Sequence, residues 1–305
     1  MTDQELVDAA TVMPLRPADD GFEVFMVRRH GDSGFMANRY VYPGGKLDAD
    51  DCTERVLDHV EGMTPEQARD RLGEDIEPLR ALGLFLAGIR ETFEEAGLLL
   101  ARRRGDEEFV DLVSDDETAR HFERAREALA SGELSISEFA DREDLVIPLD
   151  RIGYFAHWVT PFVEKRRYDT RFFVVLAPER QEPLHGDRET TDSAWMRPED
   201  VIDENRNGDL KLAPPTLRTL QQLAEFDSAE AALEFAQTHR PPTLLPHMAA
   251  IEGEIYLLLP DDPAYPSDDP KYAISEPSAD DVTRLRMLDM GHWSVDRDQG
   301  PKADE

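Results

Sequence analysis

Arg90, Glu91, Glu94 and Glu95 fall close together in the stretch IRETFEEAGLL (89–99). Placed on a helix, Glu91, Glu94 and Glu95 stand at i, i+3 and i+4 and share one face. Leu82, Leu86, Ile89 and Phe93 form an apolar stripe on another face, with Phe85 at its edge. Such a helix packs one side into a core and presents three carboxylates on the other. Like charges held together raise one another's pKa. These acids also lie in the last turns, where the helix dipole disfavours anions. Something positive must sit beside them. Arg90 reaches Glu94 at i+4, but one arginine does not neutralise three acids. A hard divalent cation does, since Mg²⁺ takes carboxylate and carbonyl oxygens and keeps several waters. A cation so held can bridge phosphate oxygens and activate a water. In a chain this acidic a Glu-Glu pair is ordinary by itself; the full Arg-Glu-x-x-Glu-Glu-x-Gly string carries the reading.

A second stretch, YVYPGGKLDADD (40–51), places two glycines before a cluster of acids. On its own the stretch reads as a surface turn. Asp48 and Asp50 read as surface charge.

The two stretches together resemble the Nudix box, Gly-x5-Glu-x7-Arg-Glu-U-x-Glu-Glu-x-Gly-U with U apolar. Arg90, Glu91, Glu94, Glu95, Gly97 and Leu98 match, Thr92 stands at the first apolar position, and Asp51 follows Gly45 by five residues in place of Glu. The spacing departs: 38 residues (52–89) separate Asp51 from Arg90, 31 more than the box has. The polar segment at about 52–81 reads as an insertion inside the box, free to cover the site, supply a surface for a homodimer, or simply be tolerated.

A Nudix subgroup, the peroxisomal-type coenzyme A diphosphatases, carries an insertion at this point. The chain is similar to it in RETFEEAGLLL, SGFMANRYVYPGG (33–45) and HWVTP…RRYDTRFFVV (157–175), over roughly residues 9–200, and more weakly in PPTLLP (241–246) and YLLLPDD (256–262). The resemblance implies metal-dependent hydrolysis, with Mg²⁺ or Mn²⁺, of a small-molecule nucleoside diphosphate derivative. CoA or acyl-CoA would give 3′,5′-ADP and (acyl-)phosphopantetheine. ADP-ribose, NADH or a nucleotide sugar is the second enzymatic reading, and a non-catalytic nucleotide-binding module the third. The resemblance implies Glu94 and Glu95 as principal metal ligands and Glu91 as metal ligand or general base. It implies Arg90 as their orienter, the Gly44 carbonyl as a further ligand, and Asp51 as a structural partner of Arg90. A later acid, Glu189 or Asp192 in the turn before Trp195, is a further metal candidate. A 3′-phosphate asks for cations, for which Arg29, Arg39, Arg166, Arg167 and Arg171 are candidates; each also fits a surface counter-charge. His157 and His247 have no partner at informative spacing.

The elements that must position these residues are legible as pattern. Residues 9–16 and 22–27 read as a hairpin, 82–96 as the acidic helix ended by Gly97, and 64–72 as a capped helix. Residues 98–100 could start a strand, and 106–145 read as mostly helical. Strands are expected at 153–159, 171–177, 193–196 and 252–259, and helices after Pro198 and at 214–226 and 228–238. Interspersed strands and helices without regular βαβ alternation indicate an α/β (α+β) fold with a mixed sheet. The resemblance makes it a Nudix-like α/β/α sandwich with helical insertions. Residues 1–262 are expected to form one domain, with 263–305 a Pro-, Asp- and Ser-rich extension, partly disordered.

Composition bounds the rest. A net charge of −32 repels nucleic acid and anionic membranes. Cys52 is the one cysteine, no apolar run approaches bilayer length and no signal pattern opens the chain, so the cytoplasm is the default expectation.

Overall fold

In the computed structural model, residues 6–29, 39–183, 190–266, 284–289 and 292–296 are described. The chain opens with β1 (Leu6–Pro17) and β2 (Phe22–Arg29), an antiparallel hairpin turned at Gly21, whose φ of 82° suits glycine. Two short strands follow, β3 (Tyr40–Val41) and β4 (Gly44–Lys46). A 3-10 turn over Ala49–Cys52 carries Asp51, and the inserted segment forms a second, Glu54–His59, then β5 (Val60–Glu61) and α1 (Pro65–Leu72). Thr64 and Gln67 make the expected reciprocal cap of α1. The acidic helix is α2 (Pro78–Ala96), ended by Gly97 at φ 69°.

Beyond it come β6 (Arg102–Arg103), α3 (Asp116–Ala130), α4 (Ile136–Glu143) and β7 (Leu145–Pro148). Residues 98–100 are not a strand. They are buried, and the Gln181 side chain serves Leu99 as a partner strand would, accepting from its N–H (2.7 Å) and donating to its carbonyl (3.0 Å). The chain then supplies β8 (Ile152–Val159), β9 (Arg167–Leu176), β10 (Thr190–Met196), α5 (Pro198–Asn207), α6 (Pro214–Leu223), α7 (Ala229–Thr238) and β11 (Thr243–Leu244). An antiparallel sheet of β12 (His247–Ile251), β13 (Glu254–Leu258), β14 (Arg284–Asp289) and β15 (His292–Asp296) closes the fold. Strands on either side of residue 262 therefore share one sheet.

The main sheet runs β10-β2-β1-β9-β8-β11, and it is mixed: β1–β9 and β8–β11 are parallel, the other pairs antiparallel. Two cores flank it. On one face α2 lies against the strands so closely that a Cβ on Gly88 would come 2.9 Å from Val12 Cγ2. On the other face α6, α7 and the C-terminal sheet bury Phe155, Trp158, Phe172 and Val174. The architecture is the expected α/β/α arrangement. One difference concerns α2, which is buried on all sides from Ala81 to Arg90 rather than along a stripe. The insertion is the reason: Val56, Ala68 and Leu72 join the same core as Leu82 and Phe85. Among the described residues no helix is long and apolar enough to cross a membrane.

The sheet forks where the chemistry is expected. β1 meets β2 only over Leu15–Pro17. Over Ala9–Thr11 its neighbour is β4, while Val27 and Arg28 of β2 take β3. The turn Tyr42–Pro43 crosses the fork and carries β4 under the last turns of α2.

Candidate active site

Ala10 and Gly45 are directly opposed in the β1–β4 ladder, and Val12 N–H and Leu47 N–H close it on either side by donating to Pro43 and Asp8 carbonyls. The backbone groups of Gly44 and Lys46 therefore face away from β1. They face α2: Gly44 N–H donates to Glu95 Oε2 (2.9 Å), and Lys46 carbonyl accepts from Arg90 Nη2 (2.9 Å). N–H and C=O of one extended residue point to the same edge, so the Gly44 carbonyl is on the acids' side. At Gly45 a Cβ would lie 2.2 Å from Glu91 Oε1, so only glycine leaves room for that carboxylate.

Arg90 is the centre of the site. Its Nε and Nη2 donate to the two oxygens of Asp51 (3.0 Å each), and its Nη1 donates to Glu91 Oε1 (2.9 Å) and Glu94 Oε1 (3.2 Å). Asp51 is fully buried, and Arg90 is 6% exposed. The two halves of the motif, 38 residues apart in sequence, are thus bonded to each other. Asp48, read as surface charge, also comes within 3.5 Å of Arg90. Burial, opposed by Arg90 and reinforced by Glu94, pushes the Glu91 carboxyl up to about 7. Burial raises Glu94 as well, against the pull of Arg90. Burial alone would lower the Arg90 pKa, but Asp51, Glu91 and Glu94 hold it above the ordinary arginine value. With Arg90 matched to Asp51, Glu91 and Glu94 share its one remaining nitrogen, and they stand with Glu95 beside an outward-facing backbone edge. That donor set fits a hard divalent cation.

Thr92, at a position where the box has an apolar residue, is buried and donates its hydroxyl to Gly88 carbonyl (2.7 Å). One site contact had no sequence signal. Arg126 of α3, almost fully buried, donates to the Glu94 carbonyl (2.6 Å) and puts a cation at the C-terminal end of α2.

Among the described side chains, the expected substrate arginines do not form one patch. Arg171 corrects its expectation: it is buried, and its guanidinium is engaged by Asp8 (2.8 Å), Glu74 (3.1 Å) and Asp169 (3.3 Å). Arg167 is buried too, donating to Thr160 carbonyl (3.0 Å) and lying 4.0 Å over the Phe162 ring. Arg166 is exposed. Arg167 is opposite Leu6 whereas Gly44 is opposite Thr11, so the Arg166–Arg167 pair stands about 16 Å down the strand from Gly44. Arg39 is half-buried, burial lowers its pKa, and no described residue gives it a hydrogen bond or ion pair. The side chain of Arg29 and all of Glu189 lie outside the described residues, as does the Asp192 side chain, whose backbone is opposite Arg28.

His157, which had no visible partner in the sequence, has two: its Nε2 is 2.5 Å from Asp169 Oδ1 and its Nδ1 is 3.0 Å from Thr243 Oγ1. With Glu74 these residues bring three potential ligand atoms within 4.8 Å of one another, the one such cluster among the described residues. Arg171 already donates to both carboxylates there, so the cluster reads as an ion network tying the insertion to the sheet.

A family model described as the NUDT19 Nudix domain matches residues 61–223. The chain belongs to the NUDT19 Nudix family. As a Nudix hydrolase it is 28% identical over 301 residues to the acyl-coenzyme A diphosphatase NUDT19 of Gallus gallus, covering 85% of this chain and 76% of that one. Against the Homo sapiens protein of the same name it is 25% identical over 313 residues, covering 86% and 77%. A NUDIX hydrolase from Alicyclobacillus acidocaldarius shares the fold, with a TM-score of 0.61 at 24% identity over 78% of this chain and all of that one. The matched residues include the whole of α2.

Proposed function

We propose that the protein hydrolyses the diphosphate of CoA or acyl-CoA to 3′,5′-ADP and (acyl-)phosphopantetheine. The observation that carries this reading is the set of three glutamates on α2 beside the outward-facing backbone edge of Gly44, with Glu91 and Glu94 sharing one nitrogen of Arg90. Relatives named acyl-coenzyme A diphosphatases support the substrate class. Glu94, Glu95, Glu91 and the Gly44 carbonyl would hold Mg²⁺ or Mn²⁺, which when bound shields the diphosphate and makes a water more acidic. Arg90 fixes the carboxylates by its bonds to Glu91 and Glu94 and locks the Gly45–Asp51 half of the motif to the helix. Glu91, poised near neutrality, accepts a proton from the attacking water at its carboxylate. The water oxygen ends on one phosphorus, and the bridging oxygen leaves with the other. Arg39, a desolvated guanidinium with no acid partner among the described residues, is suited to substrate phosphate in a protein whose overall field repels anions. The single cysteine and acidic surface support a reducing, cytoplasmic setting and a small-molecule substrate.

The test is incubation with Mg²⁺ or Mn²⁺ and CoA, acetyl-CoA, ADP-ribose and NADH, with products identified by mass spectrometry. CoA and acetyl-CoA are expected to give 3′,5′-ADP. Turnover of ADP-ribose without turnover of CoA overturns the substrate assignment, and no turnover of any overturns the catalytic reading.

A further inference from the structure

On the sheet face away from α2 a pocket of about 130 Å³ is lined by both sheets. Trp158 and Phe172 belong to the main sheet; Met248, Leu257 and Trp293 come from the C-terminal sheet, and Pro215 from the start of α6. Trp158 is 3% exposed, and its indole N–H is buried with no hydrogen-bond partner among the described residues. A buried donor in an apolar wall costs free energy until an acceptor reaches it. An apolar cavity of about 150 Å³ takes a benzene, so this one suits a chain of about five or six carbons.

The pocket is tied to the active site through Tyr42. The Tyr42 and Phe172 rings meet edge-on at 6.5 Å. Tyr42 stands two residues before Gly44, and its hydroxyl lies 3.1 Å from Thr219 Oγ1 on α6, the helix whose first residues line the pocket. In register, Gly44 is opposite Thr11 and Thr11 opposite Phe172, two strand spacings or about 10 Å. An extended pantetheine arm is longer than that. The loop that supplies Pro161 and Glu164 to the pocket also holds Phe162 and Val163 exposed at 60% and 61%. Two adjacent apolar side chains beside the pocket give a longer chain somewhere to continue.

We propose that this pocket receives the acyl chain of an acyl-CoA, with the thioester carbonyl accepting from Trp158 Nε1. The inference rests on the CoA reading of the α2 site, so binding and turnover are measured separately. The binding probe is S-hexanoyl-N-acetylcysteamine, a thioester without nucleotide or phosphate, titrated into the full chain by calorimetry. The kinetic measure is the ratio of kcat/KM for hexanoyl-CoA to that for CoA. Thr170, opposite Trp158 in the ladder, also lines the pocket. Thr170→Trp fills the pocket, and Trp158→Phe removes the donor while keeping an aromatic wall; melting curves check that both fold.

The wild type is expected to bind the thioester and to prefer hexanoyl-CoA. Both the affinity and the ratio should fall about tenfold or more in Thr170→Trp and about tenfold in Trp158→Phe. Absence of thioester binding by the wild type, or a ratio unmoved in both variants, overturns the proposal. Thioester binding lost in the variants, with no CoA species hydrolysed, leaves the pocket standing and overturns the reading of the α2 site instead.

Discussion

Two buried arginines in this protein each gather several carboxylates. Arg171 is shared by Asp8, Glu74 and Asp169, and help is at hand: Arg80 donates to Asp8 (2.7 Å), and His157 lies against Asp169. Every acid of that cluster has a cationic or imidazole partner. Arg90 serves Asp51, Glu91, Glu94 and, more distantly, Asp48, with no second arginine paired to their carboxylates among the described residues. Burial there leaves Glu91 pushed up to about 7. Arg171 pins the inserted segment to the sheet through Glu74, and Arg90 joins α2 to the first half of the motif through Asp51. Only one keeps negative charge in hand. A balanced buried cluster holds a fold together; an unbalanced one is ready to take a cation.

The sharpest way to break this comparison is Glu94→Gln. The rate of diphosphate hydrolysis should fall by about three orders of magnitude, with an unchanged circular dichroism spectrum. A rate near wild type would remove the distinction between the clusters. Arg171→Met is the counterpart. It leaves three carboxylates buried around a missing partner, and urea unfolding should show a loss of about 3–5 kcal/mol. A stability change below about 1 kcal/mol would show that the network is not structural. Arg39→Ala should raise KM for CoA about tenfold and spare the melting temperature, the signature of a cation reserved for substrate. The smallest effect is on pH. The folded Glu91 keeps its proton up to about pH 7, whereas the unfolded chain releases it near the ordinary value of 4.5. The folded state thus binds the proton more tightly, and that contribution is present at acid pH and lost as pH rises through about 7. In EDTA the wild type should melt a few degrees lower at pH 8 than at pH 6, and Glu91→Gln should flatten that slope.

Much of this was legible because the signals are local. The α2 acids repeat at helical spacing, Thr64 and Gln67 sit at capping distance, and Gly97 stands where a left-handed cap is needed. Asp51 could be assigned to Arg90 because the motif supplied the long-range pairing that spacing alone hides. What stayed hidden was tertiary. Arg126 reaches the end of α2 from 32 residues away, and nothing in its own amphipathic helix marks it out among its neighbours. Arg171 looked like a phosphate ligand because a basic run in sequence does not reveal that alternate strand residues face opposite sides of a sheet. Gln181 imitates a strand with one side chain, which no periodicity announces.

The Asp51–Arg90 bond also bears on how such a motif can change length. Closing a flexible loop costs only about 0.6 kcal/mol for each doubling of its length. Growth of this connection from 7 to 38 residues therefore adds roughly 1.5 kcal/mol of closure entropy. Burying Val56, Ala68 and Leu72 against α2 recovers more than that, at about 1.5–3 kcal/mol for each larger apolar side chain. The interruption is thus thermodynamically cheap at this joint, because the ends of the loop are held by a bidentate ion pair and its middle returns to the core. The motif is kept as a shape in space although 38 residues separate its two halves in the chain.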